Sequence, residues 1–273
     1  VKVDGKDLKR ISEHVGKIPL VMIAPADSAL ILGGSEERRR FMDMVIIQYC
    51  TTYLNAIIKY DNALKQRNAL LKQDDEPDAA VMEVLEEMLS AYSQVIYEAR
   101  KQFISEFLPI FANLYARLSG AETDEQASIV YRSHIERGEL LPQLASFRAK
   151  ERIVGYTLHG THKDELELLL NGFAVKREAS QGQQKTFFIA MKLAQFMFLK
   201  GKGEHRVPLL LLDDIFDKLD ANRVARIIDY VSSEEFGQIF ITDTHREHLD
   251  NILALTKRDY KLFSVVDGEV SCM

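Results

Sequence analysis

Ser180-Gln-Gly-Gln-Gln-Lys185 opens a helical stretch, and 25 residues after Lys185 the chain runs Leu210-Leu211-Leu212-Asp213-Asp214. Ser-x-x-Gln ahead of an amphipathic run is a capping box, with Ser180 at the N-cap and Gln183 reaching back. The helix start it creates presents free N–H groups and a positive dipole end, which suit an anion. Gly182 has no side chain to keep such an anion from the backbone. Val207 to Leu212 is apolar at every position, the pattern of a strand covered on both faces. In open α/β sheets ligands gather at the carboxyl ends of strands, where this run delivers Asp213 and Asp214. Consecutive strand residues point to opposite sides, so the two acids have different tasks. One suits Mg²⁺, the other an attacking water; the plainer alternative is that both cap the following loop.

Two later pieces follow in a compatible order. Leu219-Asp220 stands six residues past the acidic pair and opens a helix at Ala221, for which Asp220 is an ordinary N-cap. Gln238 to Thr242 reads as a strand that empties Thr242, Thr244 and His245 at its carboxyl end, where a γ-phosphate sensor would sit. A phosphate loop, Gly-x-x-x-x-Gly-Lys-Ser/Thr, does not occur. Gly5-Lys6, Gly16-Lys17 and Gly201-Lys202 are followed by Asp, Ile and Gly.

Composition narrows the classes. With 35 Lys and Arg against 41 Asp and Glu, the net charge of −6 argues against nonspecific nucleic-acid binding by the whole surface, though not against a local basic patch. No apolar run approaches the roughly 18 residues of a membrane span, and no signal-peptide pattern is present. Cys50 and Cys272 form neither a disulfide framework nor a metal spacing, so a reducing cytoplasm is the expected compartment.

Along the chain, Ile18 to Ala24 reads as a buried strand stopped by Pro25, and Gly33-Gly34 as a turn. From Glu36 to about Lys72 the spacing predicts one helix with a stripe of Leu54, Ile57, Ile58, Leu64, Asn68 and Leu71. Gln73 to Pro77 breaks it, and a second helix follows from Asp78 to about Leu118, giving an antiparallel hairpin. Residues 119–150 are polar and mixed and carry no clear period. From there Tyr156 to Leu158 and Leu166 to Leu170 read as strands, 180–199 as a helix, 207–212 as a central strand, 221–231 as a helix and 238–242 as a strand. Lys261 to Val266, Asp267-Gly268 and Glu269-Val270 form a closing hairpin with a primed turn. The expected organisation is an α/β head from 1–34 and 151–273 with a helical arm inserted at 35–150.

In this order and spacing the residues resemble the ATP-binding-cassette superfamily, and within it the RecF recombination-repair family rather than a transporter. Ser180 to Lys185 is similar to that family's cassette signature, Leu209 to Asp214 to its Walker B strand, and Leu219-Asp220 to its D-loop. Pro25-Ala26-Asp27 followed by Gly33 to Asp43 resembles the segment after the Q-loop, and Gly160-Thr-His162-Lys163-Asp164 a further motif of the family. Ala26, Thr161 and Lys218 depart from the usual residues, and His245 lies about one position beyond the family's switch histidine. The resemblance implies a cassette ATPase head, partial at its N-terminal side, with an inserted long helical hairpin lobe; Val1 would then fall about one hundred residues into the native protein.

It further implies two heads that sandwich two ATP molecules with Mg²⁺. Asp213 would serve the metal and Asp214 the water; Ser180, Gln181, Gly182 and Gln183 would contact the partner head's nucleotide, and Asp220 would couple the two sites. The implied partners are duplex or gapped DNA, RecO- and RecR-like mediators and a second copy of the chain, in the response to DNA damage, with no membrane involved. Arg38, Arg39 and Arg40 are candidates to neutralise DNA phosphates. A structural-maintenance head, or a DNA- or protein-binding scaffold without turnover, are the alternatives. Without a loop to grip the β-phosphate, the purified 273 residues are expected to show no meaningful ATP hydrolysis. Turnover abolished by Asp214→Asn would overturn that expectation.

Overall fold

Two short strands, β1 (Lys2–Val3) and β2 (Lys6–Asp7), pair antiparallel near the start of the chain. The structure is a computed structural model that describes residues 18–120, 122–203, 207–216, 219–244, 249–250, 253–254 and 259–272, and the backbone at 2–3 and 6–7. Lys218 and His245 lie outside the described residues.

Strand β3 (Leu20–Ile23) leads through a 3-10 turn at Pro25–Ser28 into α1 (Ala29–Leu32) and α2 (Ser35–Ile46). The Asp27 carboxylate closes the turn by accepting the Ala24 N–H at 2.9 Å. The single helix expected from Glu36 to Lys72 is two, because the chain turns through 47–50 before α3 (Thr51–Leu71) begins. The periodicity runs across the break because both helices bury a face in the same core.

Helix α4 (Ala79–Ser119) is capped by Asp78, which accepts the N–H groups of Ala80 and Val81 at 2.8 and 3.3 Å. Its 41 residues span about 60 Å at 1.5 Å each. It stops at Gly120, where φ is +102° and a Cβ would meet the Arg226 guanidinium at 2.5 Å. The hairpin of α3 and α4 is as expected, but of the expected α3 stripe only Leu71 is fully buried, with Leu54, Ile57 and Leu64 half-buried, and the fully buried line lies beside it. It runs Tyr53, Ala56, Tyr60, Ala63, Arg67, Leu71, while Ile58 is exposed. Hydropathy favours the aliphatic line; the fold buries tyrosine tips and an arginine instead because each finds a polar partner.

The stretch without a period holds β4 (Ala127–Arg132) and α5 (Leu140–Val154). Strand β4 pairs antiparallel with β5 (Glu165–Leu170), and β5 with β6 (Phe173–Ala174). Hydrogen bonding therefore crosses residue 150. Tyr156 to Leu158, expected as a strand, has no sheet partner; it is a turn whose Thr157 is buried against Asn68 and Arg67. The short α6 (Val175–Glu178) then leads to α7 (Gln181–Lys202).

Helix α7 is buried over nearly its whole circumference between Thr186 and Leu199. Against α4 it packs aromatic rings, with Phe111 and Phe187 centroids 4.8 Å apart and Phe103 and Phe198 5.0 Å apart. It also packs on β3, which together with β7 (Leu209–Asp213) and β8 (Ile239–Thr242) forms a parallel sheet in the order β3-β7-β8. Helix α8 (Ala221–Val231) joins β7 to β8. One sheet face, with Val21, Ile23, Leu210 and Leu212, is core; on the other, Leu20, Met22 and Phe240 are exposed. The all-apolar run of β7 is thus covered on one side only by the described residues. Strands β9 (Phe263–Val266) and β10 (Glu269–Cys272) form the expected hairpin, with positive φ at both Asp267 and Gly268 as a primed turn requires. Among the described residues no helix is long and apolar enough to cross a membrane.

Two buried arginines tie the helical layer to the rest. Arg67 pairs with Glu86 at 2.8 Å and Glu151 at 2.7 Å, joining α3, α4 and α5. Arg100 of α4 pairs with Asp43 of α2 at 2.8 Å and with Asp164 at 2.7 Å, and donates to the Thr161 carbonyl at 2.9 Å. Beside it, Gly160 has φ +132°, and a Cβ there would lie 2.4 Å from the Tyr60 hydroxyl. That hydroxyl meets His162 Nδ1 at 2.6 Å, while Nε2 meets the Thr157 carbonyl at 3.1 Å. A carbonyl only accepts, so Nε2 carries the proton and the Tyr60 hydroxyl donates to Nδ1.

Burial, with Lys163, Arg39 and His134 nearby, lowers the His162 pKa from 6.5 to about 4. The unfolded chain therefore binds more protons across that window, and stability falls as the pH drops from 6.5 towards 4. Denaturation midpoints at several pH values should show a loss of up to about 3 kcal/mol from this group. His162→Gln should flatten that limb, and an unchanged acid slope would remove His162 as its cause.

Candidate nucleotide site

The carboxyl edge of the parallel sheet gathers the acidic residues. Asp213 is the last residue of β7 and lies in register with Thr242, the last of β8. The Thr242 hydroxyl donates to Asp213 Oδ1, and the Asp214 N–H donates to the Thr242 carbonyl at 3.1 Å. Asp214 has φ +50°, a left-handed turn that aspartate tolerates better than most residues. That turn ends the strand and sends the chain down to Ile215 and Phe216, both buried. The two carboxylates therefore leave the strand in different settings, one held by a hydroxyl of the neighbouring strand and one on a turned backbone. Asp27, beyond the end of β3, pairs with Lys192 of α7 at 3.4 Å. Burial holds that ammonium below its usual range, with Asp27 opposing the shift.

The second part of the site is the start of α7. Ser180 is its N-cap and the capping box is complete: the Gln183 N–H donates to Ser180 Oγ at 3.3 Å, and the Ser180 N–H donates to Gln183 Oε1 at 2.8 Å. Gln181 is exposed in the first turn and Gly182 half-buried. A Cβ on Gly182 would meet Arg223 Nη1 at 3.4 Å, ordinary contact distance, so the bare backbone is not demanded by packing. The Gln183 side-chain amide donates to Glu125 Oε1 at 2.9 Å.

Asp220 caps α8, accepting the Arg223 N–H at 2.9 Å. Arg223 reaches from there to α7, donating to Thr186 Oγ1 at 2.8 Å, and Thr186 in turn donates to the Gly182 carbonyl at 2.8 Å. The start of α7 and the start of α8 are thus joined side chain to side chain. Sequence reasoning missed Glu125, Thr186 and Arg223. Glu125 falls in the stretch without a period; Arg223, three residues after an N-cap, was legible only as a first-turn position. Thr244 is exposed, two residues past the end of β8, and His245 lies outside the described residues.

The three arginines of α2 part company. Arg38 pairs with Glu165 of β5 at 2.8 Å and donates to the Gly33 carbonyl at 3.2 Å. Arg39 donates to the Asp164 carbonyl at 2.7 Å and is half-buried, with burial and then Arg100 lowering its pKa. Arg40 is exposed. A helix turns about 100° per residue, so three in a row cannot share a surface.

This parallel sheet, with acids at its carboxyl edge, a capped glycine-containing helix start and a long inserted helical hairpin, is an α/β cassette-ATPase head. The DNA replication and repair protein RecF of Phocaeicola vulgatus is 52% identical to the chain over 270 residues, which cover 99% of this chain and 72% of that protein. RecF of Bacteroides fragilis is 53% identical over 272 residues, covering 100% and 73%. RecF of Parabacteroides distasonis is 52% identical over 272 residues with the same coverage. A solved structure of the recombination mediator protein RecF with ATP, of the RecFOR pathway, superposes with a TM-score of 0.84 over 100% of this chain and 72% of that one, at 24% identity. No protein-family model matches the chain. The chain belongs to the RecF family of DNA replication and repair proteins.

The cap at the start of α7 can be weighed alone. Ser180→Ala should cost about 1 kcal/mol in a denaturation experiment, and Gln181→Ala close to nothing. Equal costs would show that the serine is not the cap.

Proposed function

We propose that this chain is an ATP-dependent DNA-binding protein of recombinational repair and replication restart. ATP draws two heads together on duplex or gapped DNA, and hydrolysis releases them. The observation that carries this reading is the delivery of Asp213 and Asp214 at the carboxyl edge of the parallel sheet, with Thr242 orienting the first and a left-handed turn redirecting the second. A carboxylate oriented by a neighbouring hydroxyl fits a hard divalent ion such as Mg²⁺. Mg²⁺, when bound, would neutralise phosphate charge. Asp213 would hold it, and Asp214 would orient the attacking water and take its proton.

Ser180, Gln181, Gly182 and Gln183 would face the partner head's nucleotide, because a capped helix start offers N–H groups and a positive dipole end to a γ-phosphate. Asp220 would report across the dimer, and Thr242 with Thr244 and His245 would form the switch region. On this reading the head comprises 1–34 and 151–273 and the lobe 35–150. Of the three arginines, the exposed Arg40 would meet DNA phosphates, while Arg38 and Arg39 would brace the surface that presents it. Partners of the RecO and RecR type follow from the pathway named for the solved RecF. The second reading is a binding scaffold without turnover.

In the full gene product, Asp214→Asn should lower ATP turnover about a hundredfold or more while leaving ATP binding intact. It should then accumulate as an ATP-bound dimer on DNA, measurable by sedimentation. A monomer at saturating ATP and Mg²⁺ would count against the sandwich, and DNA binding indifferent to ATP would favour the scaffold.

A further inference from the structure

Where α4, α7 and α8 come together, one carboxylate stands at the centre. Glu125 lies in the connection from α4 to β4, and its side chain is 11% exposed. Oε1 accepts the Gln183 amide at 2.9 Å and faces Arg223 Nη2 at 3.6 Å; Oε2 accepts the Tyr115 hydroxyl of α4 at 2.5 Å. The Gln183 amide has no freedom to turn, since its Oε1 already accepts the Ser180 N–H. Arg223 is equally committed: Nη1 serves Thr186 and Nε lies 3.3 Å from Asp220 Oδ2. The two oxygens of one carboxyl group take a phenol, an amide and a guanidinium at once. Helix α8 is strapped to the same end of α4 a second time, by Arg226, which donates to the Ser119 carbonyl at 2.7 Å and pairs with Glu122.

We propose that Glu125 is a positioning residue that locks the starts of α7 and α8 to the arm helix α4, so that displacement of the arm reaches Ser180 and Asp220 together. The proposal rests on the nucleotide reading above for its consequence, though not for its geometry. Those two residues cap the two helix starts assigned to the shared site, and each is one side chain away from Glu125. The long arm is then the lever, Tyr115 its contact point, and Glu125 the member that splits the motion between the two motifs. Glutamine at 125 would keep the volume but remove the charge that faces Arg223, and its NH2 group could pair with the Tyr115 phenol only by reversing that bond and with the Gln183 amide not at all.

The test is residue-resolved hydrogen exchange on Glu125→Gln, read at the amides of Gln183 and Arg223, the two that donate to the caps. Both should exchange about tenfold faster, while amides at the far end of α3 stay unchanged. A response at one amide only, at neither, or equally over the whole chain would overturn the proposal. Tyr115→Phe, which keeps the ring in the core, should accelerate the same two amides a few-fold; no change there would remove the arm from the relay. In the full gene product with ATP and Mg²⁺, Glu125→Gln should lower kcat about tenfold with KM for ATP within about twofold. A change confined to KM would overturn the proposal. If the unmodified protein turns over no ATP, the nucleotide reading fails, and the two amides still decide the role of Glu125.

Discussion

Helix α7 is apolar around most of its circumference, and this demand for cover on every side organises the molecule. Part of that cover comes from α4, with its ladder of phenylalanines, and part from the parallel sheet through β3. The hairpin arm and the sheet therefore share a core and are not hung together by a linker. A helix buried in this way has only its ends to offer to solvent. Its N-terminal end, with Ser180 exposed and Gly182 half-buried, is the part that can meet a ligand.

Charge inside the helical layer does a different job. Arg100 and Arg67 carry guanidinium groups into the interior, where an unpaired charge would cost several kcal/mol. Each is surrounded by acceptors drawn from distant parts of the chain: Asp43 and Asp164 for one, Glu86 and Glu151 for the other. Apolar packing tolerates small slips of one helix along another, whereas these pairs do not. They hold α4 at one height relative to α2, α3 and the turn at 161–163. The register of the arm at its base follows, and with it the position of Tyr115 and Glu125.

Much of this was legible beforehand. The capping box at Ser180, the strand into Asp213 and Asp214, the cap at Asp220 and the closing hairpin are local patterns, and local physics sets them. Other features depend on distant partners. The break at 47–50 was hidden because both flanking helices face one core. The buried line of α3 contains Tyr53, Tyr60 and Arg67, whose polar tips make hydropathy a poor guide when partners lie far along the chain. Tyr156 to Leu158 looked like a strand but had no neighbour to pair with. Glu125 carried no signal at all, since an acid in an irregular connection is an ordinary surface residue until its three partners arrive.

The kind of protein is written in local patterns. Short-range periods, caps and the order of the motifs place an acidic strand end and a glycine-containing helix start in an α/β head with a helical hairpin. Which residues act as a set depends on how distant segments pack. Asp213 gained its hydroxyl from Thr242 through strand pairing 29 residues away. Arg38 and Arg39 were drawn into the molecule, and Glu125 was placed between three helices. The reason is the range of the forces: capping and periodicity act within a few residues, while the partners of a buried polar group are fixed only when distant segments pack.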